Sequence, residues 1–191
     1  YMKRNITTLG LIAFSLAISL VSVCSLQAND EKVFNDAIKY TVEIRTKIKI
    51  PFIEDENGVF YGAGFLIDKK RGWILTNAHV ASYSPSEIRV AFYQQDYIPV
   101  KKVYVDPYLD MAIIKFPPEK IPENAREASL ECDLHPSMGH PVGAFGHPWG
   151  YSFTGTRGII SGFTQGVEGG MLQTDAPING GNSGGPLISM T

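Results

Sequence analysis

From Ile38 to Ile50 the even positions read Ile, Tyr, Val, Ile, Thr, Ile, Ile, while the odd ones are mostly Lys, Thr, Glu and Arg. Apolar and polar residues alternating with a period of two predict a β-strand with one buried face. The polar turn EDENG follows, and then VFYGAGFLID and WILTNAHV, two apolar runs joined by KKRG in the manner of a hairpin. EIRVAFY, YIPVKKVYV and MAIIKF continue the pattern at short intervals. Residues 117–138 lose the periodicity and gather prolines and charges, as expected of a linker. Beyond them PVGAFG, TRGIISGF, MLQTDA and PLIS read as further strands between glycine-rich loops. Residues 29–37 predict a short helical turn. No helix-period segment competes with the strands apart from the extreme N-terminus, so the expectation is an all-β protein in two halves.

Composition fits that picture. The 191 residues include 19 Gly, 12 Pro, nine Tyr and ten Phe, a mixture suited to short strands and turns. The net charge of −2 implies no bulk attraction to nucleic acid, and Lys101–Lys102 is too short for a basic patch. Residues 1–28 stand apart. Lys3 and Arg4 precede an apolar run from Leu9 to Val23, and Ala28 offers a cleavage point before Asp30 and Glu31. This is the layout of a secretory signal, with an uncleaved membrane anchor or a lipoprotein cysteine at Cys24 as alternatives. Tyr1, ahead of Met2, has the look of an artefact. Cleavage would remove two basic residues and no acid, taking the charge from −2 to −4, and would leave Cys132 alone with no disulfide partner. The expected destination is periplasmic or secreted.

The candidate chemistry centres on GNSGGPL, residues 181–187. A nucleophile elbow of the G-x-S-x-G kind would need a helix directly after Ser183 and a histidine downstream. GGPLIS starts a helix poorly, and all four histidines lie upstream. The other arrangement is the chain order His, Asp, Ser. TNAHV places His79 after an apolar strand, and DMAIIKF places Asp110 at the head of another. Asp106 and Asp175 satisfy the order too, but Asp106 precedes Pro107 in a turn. His135, His140 and His147 match no common zinc spacing and are expected to be loop residues rather than metal ligands. No cofactor is implied. Cys132 reads as an inert linker thiol, and Trp73 and Trp149 as packing residues.

GAGFLID, TNAHV, DMAIIKF, AFGHPWG, GTRGIISG and LQTDAPINGGNSGGPL together resemble the protease domain of the HtrA/Deg family of trypsin-like serine proteases, from about Tyr40 to the chain end. Gln173–Thr174–Asp175–Ala176 with Ile178–Asn179 is the part most particular to that family, in which Asp175 is a scaffold position. The resemblance implies the chymotrypsin-type fold of two six-stranded-type antiparallel β-barrels. Residues 38–125 would form the first, and residues 126–191 an incomplete second, since the chain stops just past Ser183. It implies His79 as base, Asp110 as its partner, Ser183 as nucleophile, and the N–H groups of Gly181 and Ser183 as the oxyanion hole. It also implies unfolded protein or peptide substrates, cleavage after small aliphatic residues, a homotrimeric state, and a peptide-binding PDZ module downstream. Asn182 stands where many trypsins carry an aspartate that pairs with a new N-terminal amine, so activation by zymogen cleavage is not expected. The rival from another class is a non-catalytic chaperone or peptide-binding scaffold on the same fold.

Overall fold

A computed structural model of the chain describes residues 30–52, 55–132, 136–164 and 170–191. The expectations for residues 1–28, Cys24 and His135 lie outside the described residues. Residues 30–37 form a helix, α1.

Six strands, β1 (Thr41–Ile48), β2 (Gly58–Asp68), β3 (Trp73–Thr76), β4 (Ser86–Phe92), β5 (Ile98–Asp106) and β6 (Met111–Lys115), close into an antiparallel barrel in the order β1-β2-β3-β6-β5-β4. The alternation in β1 does what its period predicts: Val42, Ile44, Thr46 and Ile48 are buried, while Glu43, Arg45 and Lys47 are not. Their inward neighbours are Leu66, Ile74, Val90, Ile114 and Phe116, all nearly inaccessible. Closure also leaves this sheet no free edge.

Residues 117–128 do not run free as a linker. Ile121 and Ala125 are buried in the first barrel's core, and the Ala128 N–H donates to the Leu66 carbonyl. The proline-rich spacing hid this, because two inward apolar residues four apart make no strand signal.

The second half is an open antiparallel sheet of four strands, β7 (Pro141–Gly146), β8 (Thr154–Thr164), β9 (Met171–Thr174) and β10 (Leu187–Ser189), in the order β10-β7-β8-β9. Phe34 of α1 stacks on Phe145 of β7, with ring centroids 5.9 Å apart. Phe153, at the β7–β8 connection, meets Tyr93 of the first half edge-on at 5.0 Å. The Tyr93–Phe153 pair thus bridges the two halves edge to face, an arrangement favoured by the ring quadrupoles. Packing was the expectation for both tryptophans, and Trp149 departs from it. It lies 76% exposed at a left-handed φ of 56°, where the turn carries its ring outward. Trp73 is half-buried, with the Arg71 guanidinium 4.7 Å above its ring.

Candidate active site

The apolar run WILTNAHV is not one strand. It ends as β3 at Thr76, and the chain then turns into a single helical turn, α2 (Ala78–Ala81). The first N–H groups of a helix have no partner within it. Here one of them, His79 N–H, donates to Asp110 Oδ1 at 3.0 Å. The other oxygen of the same carboxylate, Oδ2, lies 2.7 Å from His79 Nδ1. A carboxylate can only accept, so Nδ1 carries the ring proton and Nε2 keeps its lone pair. Asn77 sits at the N-cap position but does not cap; its Nδ2 donates instead to the Asp110 carbonyl oxygen at 2.8 Å. Asp110 is therefore gripped at both ends, at a left-handed φ of 48°. Asn77 was not singled out from the sequence, and nothing local signals its role, since its partner lies 33 residues away.

The far end of α2 is tied down as thoroughly. Thr46 Oγ1 donates to the Val80 carbonyl, and Ser86 Oγ to that of Ala81. The Lys102 ammonium donates to the carbonyls of Ser82 and Ser84, and its burial lowers the lysine pKa below its ordinary value. His79 is thus placed by the barrel's strands, although its side chain is 50% exposed.

Ser183 belongs to the other half, but its loop is seated on the first. The Ala63 N–H of β2 donates to the Ser183 carbonyl at 2.8 Å. Gly184, at φ +81°, lies so close to β2 and β3 that a Cβ there would come 2.2 Å from Thr76 Oγ1 and 2.3 Å from the Ala63 oxygen. The nucleophile candidate is therefore anchored beside Thr76 and Asn77, the residues that lead into His79. Replacing Gly184 by Ala forces both a steric overlap and a left-handed backbone on an L-residue. A loss of about 3 kcal/mol in unfolding free energy is expected, visible as a lower urea midpoint at unchanged slope.

Gly181 has φ +105°, and a Cβ on it would fall 2.1 Å from the His147 carbonyl oxygen, so only glycine fits. Among the described residues the N–H groups of Gly181 and Ser183 donate to no protein acceptor. Among the hydrogen bonds of the described residues, that of the His79 ring is to Asp110, and none joins Nε2 to Ser183 Oγ. Asn182 Oδ1 is buried without a hydrogen-bond partner among the described residues.

The rival aspartates have other work. Asp106 Oδ1 accepts from the N–H groups of Tyr108 and Leu109, which forms the turn before β6. Asp175 Oδ1 accepts from the Ile159 N–H at 2.7 Å and holds β8. His140 pairs with Ser189 Oγ, and no group of His, Cys, Asp and Glu among the described residues is arranged to hold a metal ion. Cys132 is exposed and free. His147 is the loop histidine expected from its setting, and its Nδ1 accepts the Phe153 N–H within the loop. It is fully buried, with Nε2 against the Val42 carbonyl of β1 at 3.0 Å, so it ties the halves together.

The model of the trypsin-like peptidase domain matches residues 62–191. A probable periplasmic serine endoprotease, DegP-like, of Pseudomonas fluorescens is 35% identical over 133 residues, covering 68% of this chain and 27% of that protein. The serine protease Do-like HtrB of Bacillus subtilis is 37% identical over 139 residues, covering 67% of this chain and 30% of that protein. The chain thus spans less than a third of the length of these curated relatives. Among solved structures, the HtrA-type protease AlgW with tripeptide superposes with a TM-score of 0.68 at 26% identity, covering 82% of this chain and 50% of that one. Deg5 superposes with a TM-score of 0.67 at 27% identity, covering 86% and 80%. The chain belongs to the HtrA/Deg branch of the trypsin-like peptidase family.

Proposed function

We propose that this chain is the peptidase portion of an extracytoplasmic serine endopeptidase that hydrolyses peptide bonds in unfolded or misfolded proteins. The observation that carries the reading is the bonding of His79 to Asp110 at two points, beside the seat of the Ser183 loop. A serine hydroxyl is a weak nucleophile until a base takes its proton. With Nδ1 protonated and held by Asp110, Nε2 of His79 is the base. It takes the proton of Ser183 Oγ as the oxygen attacks the substrate carbonyl, then returns it to the leaving amine. The product of that first half is an acyl-enzyme, which water cleaves by the reverse proton path. The N–H groups of Gly181 and Ser183 are the donors proposed for the negative oxygen of each tetrahedral intermediate.

Export is part of the reading. Residues 1–28 supply the signal, in keeping with the periplasmic relatives. Retention of that segment as an anchor and assembly into trimers are separate proposals, tested by fractionation and by light scattering.

The test uses the complete reading frame without its signal and a fluorophosphonate probe, which phosphonylates only an activated serine. Wild type is expected to label and Ser183→Ala to remain unlabelled. A folded wild type that stays unlabelled, also after unfolded protein is added, would overturn the reading in favour of a non-catalytic peptide-binding scaffold.

A further inference from the structure

The connection from β7 to β8, residues 147–153, is a strained loop. Trp149, Gly150 and Phe153 all have left-handed φ angles, of 56°, 78° and 57°. Such backbone persists only where its surroundings hold it. The holding group is the His147 ring, which has no exposed surface. Its Nδ1 accepts the Phe153 N–H at 2.9 Å, which closes the loop on itself. The proton therefore sits on Nε2, which donates to the Val42 carbonyl. The Phe153 ring meets the imidazole edge-on at 4.7 Å.

The backbone of the same loop reaches the Ser183 segment. Trp149 N–H donates to the Gly180 carbonyl at 3.0 Å, and His147 N–H to the Gly181 carbonyl at 3.2 Å. In a trans peptide the C=O and the following N–H point in opposite directions. Holding the Gly180 carbonyl toward Trp149 therefore turns the Gly181 N–H away from that loop. The two bonds fix the peptide planes on either side of Gly181.

We infer that His147 is a positioning residue for the oxyanion donors: neutral and protonated on Nε2, it keeps loop 147–153 in the shape that orients the Gly181 peptide, and a proton on Nδ1 releases it. The inference rests on the proposed role of the Gly181 and Ser183 N–H groups. A protonated Nδ1 is a donor facing the Phe153 N–H, so the loop bond cannot survive it. Burial holds the His147 pKa below its ordinary value, against the pull of the Val42 carbonyl and of Glu43. Glu43, next to Val42 on β1, is the charged group that acts on the ring, and it accepts from Ser152 Oγ at 3.2 Å and from the Tyr97 hydroxyl. Strand β7 and residues 178–182 bring no acid or base, and Tyr93 faces Phe153 rather than the imidazole. The sign follows. The working form is complete above the ordinary histidine value of about 6.5, and it is lost below that, as pH falls through the depressed folded value.

The experiment measures the second-order rate of fluorophosphonate labelling of the complete chain from pH 8.5 to 5, for wild type, His147→Asn and His147→Gln. The phosphonyl oxygen occupies the oxyanion position, so the rate reports those donors. The Asn carbonyl can take the place of Nδ1 and accept the Phe153 N–H, and it does not titrate. The Gln amide reaches toward Val42 and leaves Phe153 unpaired. His147→Gln is expected to label about 100-fold more slowly than wild type at pH 8, the scale of one lost oxyanion donor. His147→Asn is expected to label at least 10-fold faster than His147→Gln. In wild type the acid limb steepens beyond one decade per pH unit, because two bases must be neutral, and in His147→Asn it returns to one. Equal rates for the two folded variants, or identical acid limbs in wild type and His147→Asn, would overturn the inference. If a variant fails to fold, the slope of the wild-type limb decides alone. Wild-type labelling that persists in Ser183→Ala would sink the underlying reading instead.

Discussion

His79→Ala is expected to lower kcat for peptide hydrolysis by roughly 10⁶-fold, the scale on which a triad loses its base. No described residue stands in reserve: Asp110 faces the opposite ring nitrogen, and His140 and His147 are committed to Ser189 and to Val42 and Phe153. Without the base, the attacking oxygen carries its proton into the transition state. Because serine and histidine act as one unit, His79→Ala combined with Ser183→Ala should be no slower than either alone, and a residue of catalysis about 10³- to 10⁴-fold above water should survive in all three. Steady-state turnover of one unfolded protein substrate by the three variants checks this. His79→Ala retaining more than about 1% of wild-type kcat is incompatible with a base role, since general-base catalysis supplies at least about 10²-fold.

Asp110→Asn is the second large effect, about 10⁴-fold in kcat with the fold intact. Asparagine keeps an oxygen for the His79 N–H and keeps the backbone carbonyl that Asn77 holds, and it tolerates the left-handed φ of this position better than most residues. What changes is the group facing Nδ1. An amide N–H₂ there is a donor, so the imidazole must turn Nδ1 into an acceptor and carry its proton on Nε2, where it cannot take another from serine. Asp106→Asn is the control, because its carboxylate serves the Tyr108 and Leu109 N–H groups and the Tyr104 hydroxyl. Its kcat should stay within about threefold of wild type, as for a turn residue outside the reaction. Equal losses for the two variants would remove Asp110 from its proposed place.

The legible part of this chain was what depends on neighbours in sequence. Period-two runs located the barrel strands because closure gives each strand one wet and one dry face, and those faces are written residue by residue. The order His79, Asp110, Ser183 was legible because each lies at a strand end or in a glycine-rich loop. What escaped notice depends on partners far along the chain. Four residues, Ala78–Ala81, are too few to show a helical period and were hidden in the tail of an apolar run. Asn77 and Asp110 find each other only once β3 and β6 pair. His147 lies in the loop that was expected, but its burial and its bond to Val42, 105 positions away, were not legible. Trp149 read as core because of its size, yet the backbone beneath it turns the ring to solvent.

The seat of Ser183 on Ala63 has a consequence for the order in which this molecule comes into being. The two residues are 120 positions apart in sequence, from 63 to 183, and contacts so distant carry a large loop-closure entropy and form late. A chain whose first barrel has closed already holds His79 and Asp110 in register, but its serine has nothing to rest against. The proposed arrangement of base and nucleophile is then complete only when the second half docks. On the proposed chemistry, a copy whose halves have not yet docked cuts nothing.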